Sequence, residues 1–321
     1  MTLARSFWLT EKGLGVLRRE TLPAPAPGWC VVQTLFSAVS PGTERLVALG
    51  KVPAALREEM ACPYMGGGFP FPVKYGYSLV GEVVDGPPKL RGRRVHILHP
   101  HQDVCVVRVE DARPLPDSLP PARATLASNM ETAVTAAWDS GVVLGERVLV
   151  VGFGIVGALV AHVLGRGPAV EVEVVDRRPD RRRLAEAMGF RASGAPGPDA
   201  CDLAFDTSGS PSGLQAAIDA VGVEGRVVAV SWYGTEPARL ALGGTFHSRC
   251  KRILSSQVSR IPGALQPRFD RARRTALVFR LLESPELDRL MGPRVPFAEL
   301  PKAYETLVGR TPEGLSPLIV Y

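Results

Sequence analysis

No apolar stretch in the 321 residues is long enough to span a bilayer, which argues against an α-helical membrane protein. The opening MTLARSFWLTEKG lacks an apolar core followed by a cleavage site, so a cytoplasmic protein is expected, with no membrane partner. Cysteine is sparse: Cys30, Cys62, Cys105, Cys201 and Cys250 are odd in number and nowhere spaced C-x-x-C. Neither a disulfide framework nor a thiolate zinc cage fits, and buried free thiols in a reducing compartment are expected. No helix-turn-helix, zinc finger or aromatic platform accompanies the arginine runs RRPDRRR (177–183) and RFDRARR (268–274). The net charge of +6 therefore reads as solvated helix faces, and nucleic acid is not an expected partner. Internal repeats and low-complexity segments are absent as well.

What remains is a globular composition, 45% hydrophobic and 22% charged, with length enough for one large or two ordinary domains. From Trp29 to about residue 110, short apolar runs such as CVVQTLFSAVS, YSLVGEVV and VCVVRVE alternate with Pro and Gly clusters. That pattern predicts a compact antiparallel, barrel-like unit. PLPDSLPPARATLA (114–127) reads as a hinge, and beyond it strands alternate with helical segments. Such alternation implies right-handed βαβ units in a parallel, doubly wound α/β sheet.

GFGIVG follows the strand VLVV and opens a helix. In that context Gly152 permits the tight turn, Gly154 lets backbone approach a pyrophosphate, and Gly157 lets helix and strand pack closely. The first helical residues, Ile155 and Val156, offer free N–H groups and a favourable dipole to phosphates. Asp176 ends the next strand, about 20 residues on, where an acid accepts hydrogen bonds from an adenosine ribose. A carboxylate there repels a 2′-phosphate and favours NAD. The adjoining Arg177 can pair with that phosphate or stack on adenine, so NADP is the less favoured alternative.

A β-rich start, a late nucleotide unit and a C-terminal return resemble the medium-chain dehydrogenase/reductase superfamily over essentially the whole chain. The residues that carry the likeness are SPGTE (40–44), YGYSLVGEVV (75–84), GRRV (92–95), NMETAVTAAWD (129–139), GFGIVG, TSGS (207–210) and SWYG (231–234). Within the superfamily the chain is similar to the bacteriochlorophyllide a dehydrogenase-like branch, which oxidises a hydroxyethyl group of a tetrapyrrole to acetyl. The resemblance implies a GroES-like β-barrel catalytic domain (1–122 with 266–321) and a Rossmann NAD(P)-binding domain (123–265). It also implies a homodimer, with PARLALGG (237–244) extending the sheet across a two-fold axis. Thr132, Thr207 and Ser231 are implied cofactor contacts, and Asn129 and Glu131 implied substrate contacts.

Zinc-dependent members carry Gly-His-Glu where this chain has Gly76, Tyr77 and Ser78, a cysteine at Pro41, and another near Ser128 or Asn129. The lobe with four closely spaced cysteines is also missing between 90 and 110. A catalytic zinc needs three suitable protein ligands, so an enzyme without metal is expected. Tyr77 then becomes the candidate proton donor, with Lys74 or a histidine as a helping cation. Thr43 and Glu44 are implied relay groups, and a packed core tyrosine is the competing reading. For His96, His99 and His101 three readings stay open: a metal cluster, structural residues, or a catalytic or substrate-binding role for His99 or His101. Phe69 and Phe71 of MGGGFPFP (65–72) either line an apolar entrance or pack inward. The expected function is zinc-independent, NAD-dependent interconversion of a secondary alcohol and a ketone on a small-molecule substrate, with a tetrapyrrole-like substrate as one possibility. The alternatives are an NADPH-dependent enoyl or quinone reductase, and a nucleotide-binding sensor or scaffold without catalysis.

Overall fold

A computed structural model describes residues 2–167, 169–309 and 314–321. The chain forms two compact units, one running to Ser128 and resuming with Leu282–Tyr321, the other Asn129–Leu281. The sequence sets these breaks after 122 and 265. In the structure Arg123 donates to both Asp288 oxygens (2.8 and 2.7 Å) and to the carbonyls of Leu282 and Glu283, tying 121–128 to the first unit. The helix Arg271–Leu282 is tied within the second, where Arg274 donates to Thr135 Oγ1 (3.0 Å) and to the Val258 carbonyl (2.7 Å).

In the first unit a seven-stranded sheet centres on Trp29–Ala38, whose antiparallel partners are Leu79–Asp85, Val104–Arg108 and Ser316–Val320. Alternation buries Cys30, Val32, Leu79, Val83, Val95, Ile97, Cys105 and Val107 in one cluster, each large side chain contributing about 1.5–3 kcal/mol. A second sheet is built on the hairpin Thr2–Glu11/Leu14–Leu22, a pair the sequence reading, starting its strands at Trp29, leaves out. SPGTE opens a helix, Pro41–Ala48, which follows the central strand directly. Phe69 packs inward, 8% exposed and 5.7 Å from the Tyr75 ring. The cysteines are all free. Cys30, Cys105 and Cys201 are buried as expected, whereas Cys62 is half-buried and Cys250 exposed.

The second unit is a six-stranded parallel sheet. Its strands lie in the order Arg191–Ser193, Glu171–Val175, Arg147–Val151, Cys201–Asp206, Val221–Ala229 and Arg252–Ser255. This is the doubly wound order, and the chain reverses direction of growth between Arg147–Val151 and Cys201–Asp206. Leu149, Val151, Ala204 and Val227 bury against Leu214 and Ile218 of the helix Pro211–Ala220. PARLALGG forms no strand; the sheet ends at Arg252–Ser255 on that side.

Candidate functional site

The glycine turn lies at the switch point. Gly152 adopts φ +96°, and a Cβ there would stand 2.6 Å from Ser208 Cα. A Cβ on Gly157 would stand 2.0 Å from the Gly152 carbonyl oxygen and 2.6 Å from Thr207 Oγ1, so helix and turn touch only because it is absent. Gly154, the N-cap of the helix Ile155–Gly165, is different: a Cβ there meets no described residue within 4 Å. Backbone at that point faces open space beside the first-turn N–H groups of Ile155 and Val156, the arrangement a pyrophosphate requires. A dinucleotide fits these residues.

Asp176 is held by two backbone donors, Phe153 N–H on Oδ2 (2.7 Å) and Arg178 N–H on Oδ1 (2.8 Å). Its carboxylate is thereby fixed beside the turn, half-buried, with Arg177 exposed next to it. Arg178 pairs with Asp180, and Arg182 donates to the Asp176 and Arg177 carbonyls (2.8 and 3.0 Å). Thr207 donates to the Gly152 carbonyl (2.6 Å), clamping the turn. Ser231 Oγ accepts Gly209 N–H (2.9 Å) and lies 3.3 Å from the Asp206 carbonyl. The sequence reading missed Asp206 itself. Fully buried, it accepts Ser208 (2.7 Å) and Tyr233 (2.5 Å), and burial raises its pKa against those hydrogen bonds. Its only sequence signal is an acid closing a strand before TSGS.

Thr132 is half-buried and Asn129 buried on the helix Ala127–Ser140. Glu131, expected to meet substrate, is 3% exposed; its Oε1 accepts from Thr275 (3.3 Å) and lies 3.6 Å from Arg274 Nε. The structure thus gives it an ion-pairing place inside the second unit.

In the β-rich unit, Tyr77, Thr43 and Glu44 come together. The half-buried Tyr77 phenol hydrogen-bonds with the Ser40 and Thr43 side chains. Burial raises its pKa, those two hydroxyls pull it back, and the Glu44 charge raises it further. Glu44 is wholly buried: Oε1 accepts Ser40 N–H (2.8 Å), while Oε2 accepts the Tyr304 hydroxyl (2.9 Å) and faces His101 Nε2 (3.1 Å). His101 Nδ1 lies 2.7 Å from Ser37 Oγ, which is 2.9 Å from the Tyr321 hydroxyl. Both ring nitrogens are thus engaged and the residue is 1% exposed, which places it behind Glu44 and not against a substrate. Lys74, the expected helping cation, is bound to Glu20 (2.8 Å) and Gln102 (3.0 Å).

His96, His99 and His101 do not share one face. The strand Arg94–Ile97 ends before His99, so alternation does not carry on past Ile97. His99 stacks on Tyr64 (5.1 Å) with Nδ1 donating to the Pro100 carbonyl (2.9 Å). Burial lowers its pKa to about 4 and that of His96 to about 3. Among the described residues no group of three or more His, Cys, Asp or Glu side chains is arranged to hold a metal.

Those two pKa values fix a pH dependence. The ordinary histidine value is near 6.5, so between about pH 4 and pH 6.5 the unfolded chain binds protons that the native chain refuses. The contribution is full above about pH 6.5 and falls with acid, by about 1.4 kcal/mol per pH unit for each histidine. Urea unfolding at about pH 7 and pH 5 should show His99→Phe flattening this slope relative to wild type; equal slopes would place a charged or exposed ring at 99.

No family model matches the chain. D-guloside 3-dehydrogenase of Escherichia coli K12 is 26% identical over 196 residues, so the match spans 56% of each protein, about half the length of that relative. The 2-desacetyl-2-hydroxyethyl bacteriochlorophyllide A dehydrogenase of Rhodobacter capsulatus is 27% identical over 315 residues, 89% of this chain and 88% of its own. Among solved structures, L-idonate 5-dehydrogenase of Escherichia coli superposes with TM-score 0.81 at 17% identity, covering 100% of this chain and 99% of its own. A Sinorhizobium meliloti protein solved bound to NADP gives 0.76 at 18%, and an Escherichia coli CFT073 alcohol dehydrogenase complexed with NADH gives 0.78 at 15%; each covers 100% of both chains. At these identities the solved structures speak for the fold.

Proposed function

From a chain with the medium-chain dehydrogenase/reductase fold, we propose a zinc-independent, NAD(H)-dependent oxidoreductase that interconverts a secondary alcohol and a ketone. The observation that carries this reading is the Tyr77 phenol, hydrogen-bonded with Ser40 and Thr43 in front of the buried Glu44. Tyr77 and Ser78 stand where zinc-dependent members have ligands, and neither they nor Pro41 and Ser128 are zinc donors of the usual kind.

The dinucleotide, when bound, supplies the hydride to a carbonyl carbon or takes it from a carbinol. Gly152, Gly154 and Gly157 with the helix start would hold its pyrophosphate and Asp176 its ribose, with Arg177 on the adenine side. Asp176 favours NAD, because a 2′-phosphate would face a carboxylate already fixed by two backbone donors. As the carbonyl π electrons move to oxygen, Tyr77 delivers its phenolic proton there. Its raised pKa keeps that proton in place throughout the physiological range, which suits reduction better than oxidation. The hydroxyls of Ser40 and Thr43 hydrogen-bond to the tyrosinate, which solvent reprotonates before the next turnover, and Glu44 anchors the segment through Ser40 N–H.

For the substrate we propose a hydroxyethyl/acetyl pair on a bulky ring system, supported by the near full-length likeness to the Rhodobacter capsulatus enzyme. Catalysis by a homodimer belongs to the same proposal and rests on the resemblance. The test is titration of metal-analysed protein with NADH and NADPH, followed by a screen of hydroxyethyl and ketone compounds. NADH binding tighter by about tenfold or more, with turnover in zinc-free protein, is the expected result. A clear NADPH preference or stoichiometric zinc would overturn the cofactor or the metal part.

A further inference from the structure

His96 is wholly buried in the strand Arg94–Ile97, across from Val80 and Arg113. Its Nε2 lies 3.2 Å from Ser128 Oγ and 3.5 Å from Ser78 Oγ. Neither hydroxyl has a hydrogen to spare for it: Ser128 donates to the Tyr77 carbonyl (2.7 Å) and Ser78 to the Thr125 carbonyl. A hydroxyl donates one hydrogen, so the proton between ring and serines belongs to Nε2. A neutral ring carries a single N–H, which leaves Nδ1 bare, and among the described residues the buried Nδ1 has no hydrogen-bond partner. A buried acceptor without a donor costs stability that an apolar ring would not forfeit, so any favourable polar contribution of this ring comes through Nε2.

We propose that His96 is a positioning residue: as the neutral Nε2–H tautomer it fills the acceptor side of Ser128 Oγ and directs that hydroxyl onto the Tyr77 carbonyl. Ser128 and Ser78 thereby hold residues 77–78 against 125–128, and the backbone that carries the Tyr77 phenol is fixed from beneath. The depressed pKa, which burial causes, agrees, since protonation would place Nδ1–H where no described residue offers an acceptor. This assignment rests on Tyr77 as the proton donor.

Histidine ¹⁵N NMR of the intact protein reads the tautomer. A protonated Nε2 and a bare Nδ1, unchanged from about pH 5 to pH 8, are expected; an Nδ1–H tautomer or a titrating ring overturns the proposal. In steady-state ketone reduction, His96→Phe and Ser128→Ala should each lower kcat by about tenfold to a hundredfold with KM nearly unchanged. Combining Ser128→Ala with Tyr77→Phe should add no further loss, whereas a merely structural role would add its own. Full turnover in Tyr77→Phe alone overturns the reading beneath the proposal and the proposal with it. A slow Tyr77→Phe beside wild-type kcat in both His96→Phe and Ser128→Ala overturns the positioning role alone.

Discussion

Replacing Tyr77 with phenylalanine is expected to slow ketone reduction by about a hundredfold to ten-thousandfold, the range for removing a positioned general acid. The substitution keeps the ring and its edge contact with Tyr75, 6.1 Å between centroids. It deletes only the hydroxyl shared with Ser40 and Thr43, at a stability cost of about 1 kcal/mol. NADH affinity, which the proposed function assigns to the glycine turn and Asp176, should not change. The pH profile supplies an independent check. Because burial holds the phenol above its ordinary value of about 10, reduction by wild type should show no basic limb below that pH. A loss of rate that sets in between about pH 7 and pH 9 would point to another acid. Undiminished turnover in Tyr77→Phe would return the residue to the packed tyrosine of the competing reading.

The second large effect separates two glycines of one motif. Gly157→Ala should destabilise the protein by about 3 kcal/mol or more, because its Cβ would fall 2.0 Å from a backbone oxygen that cannot rotate away. Gly154→Ala should change stability by no more than about 1 kcal/mol, the usual cost of alanine at an N-cap, since no described residue lies within 4 Å of its Cβ. Its effect should fall on the dinucleotide, with affinity reduced by about tenfold or more as the methyl enters the space for the pyrophosphate. Urea midpoints and calorimetric titration of both variants decide the matter. A Gly154→Ala protein that binds NADH like wild type would mean the pyrophosphate lies elsewhere; a stable Gly157→Ala would mean helix and turn are not in contact.

The parallel-sheet unit was legible because its signals are local. Strand–helix alternation sets the parallel sheet, and GFGIVG with Asp176 marks its switch point within a few dozen residues. The β-rich unit was legible as a class but not in detail. Its first hairpin, Thr2–Glu11/Leu14–Leu22, carries Thr, Ser, Arg and Glu amid its apolar residues and lacks the dense β-branched runs that mark Trp29–Ala38. SPGTE was read as a motif, and the helix it opens went unread. The surroundings of Glu44 were the least accessible: His101 is 57 positions away and Tyr304 260, and no local pattern announces such partners. The three histidines stayed open between readings for a related reason, since strand alternation predicts faces only while the strand lasts, and this one ends at Ile97.

Asp206 also bears on how the parallel-sheet unit can be altered. Ser208, from the loop after one strand, and Tyr233, from the loop after the next, donate to the same buried carboxylate. Neither loop is an independent module: a graft replacing SWYG alone, or TSGS alone, strips that carboxylate of a donor that water cannot readily replace. The two loops and the acid beneath them form one exchangeable part, and a swap meant to retune this edge of the sheet has to carry all three together.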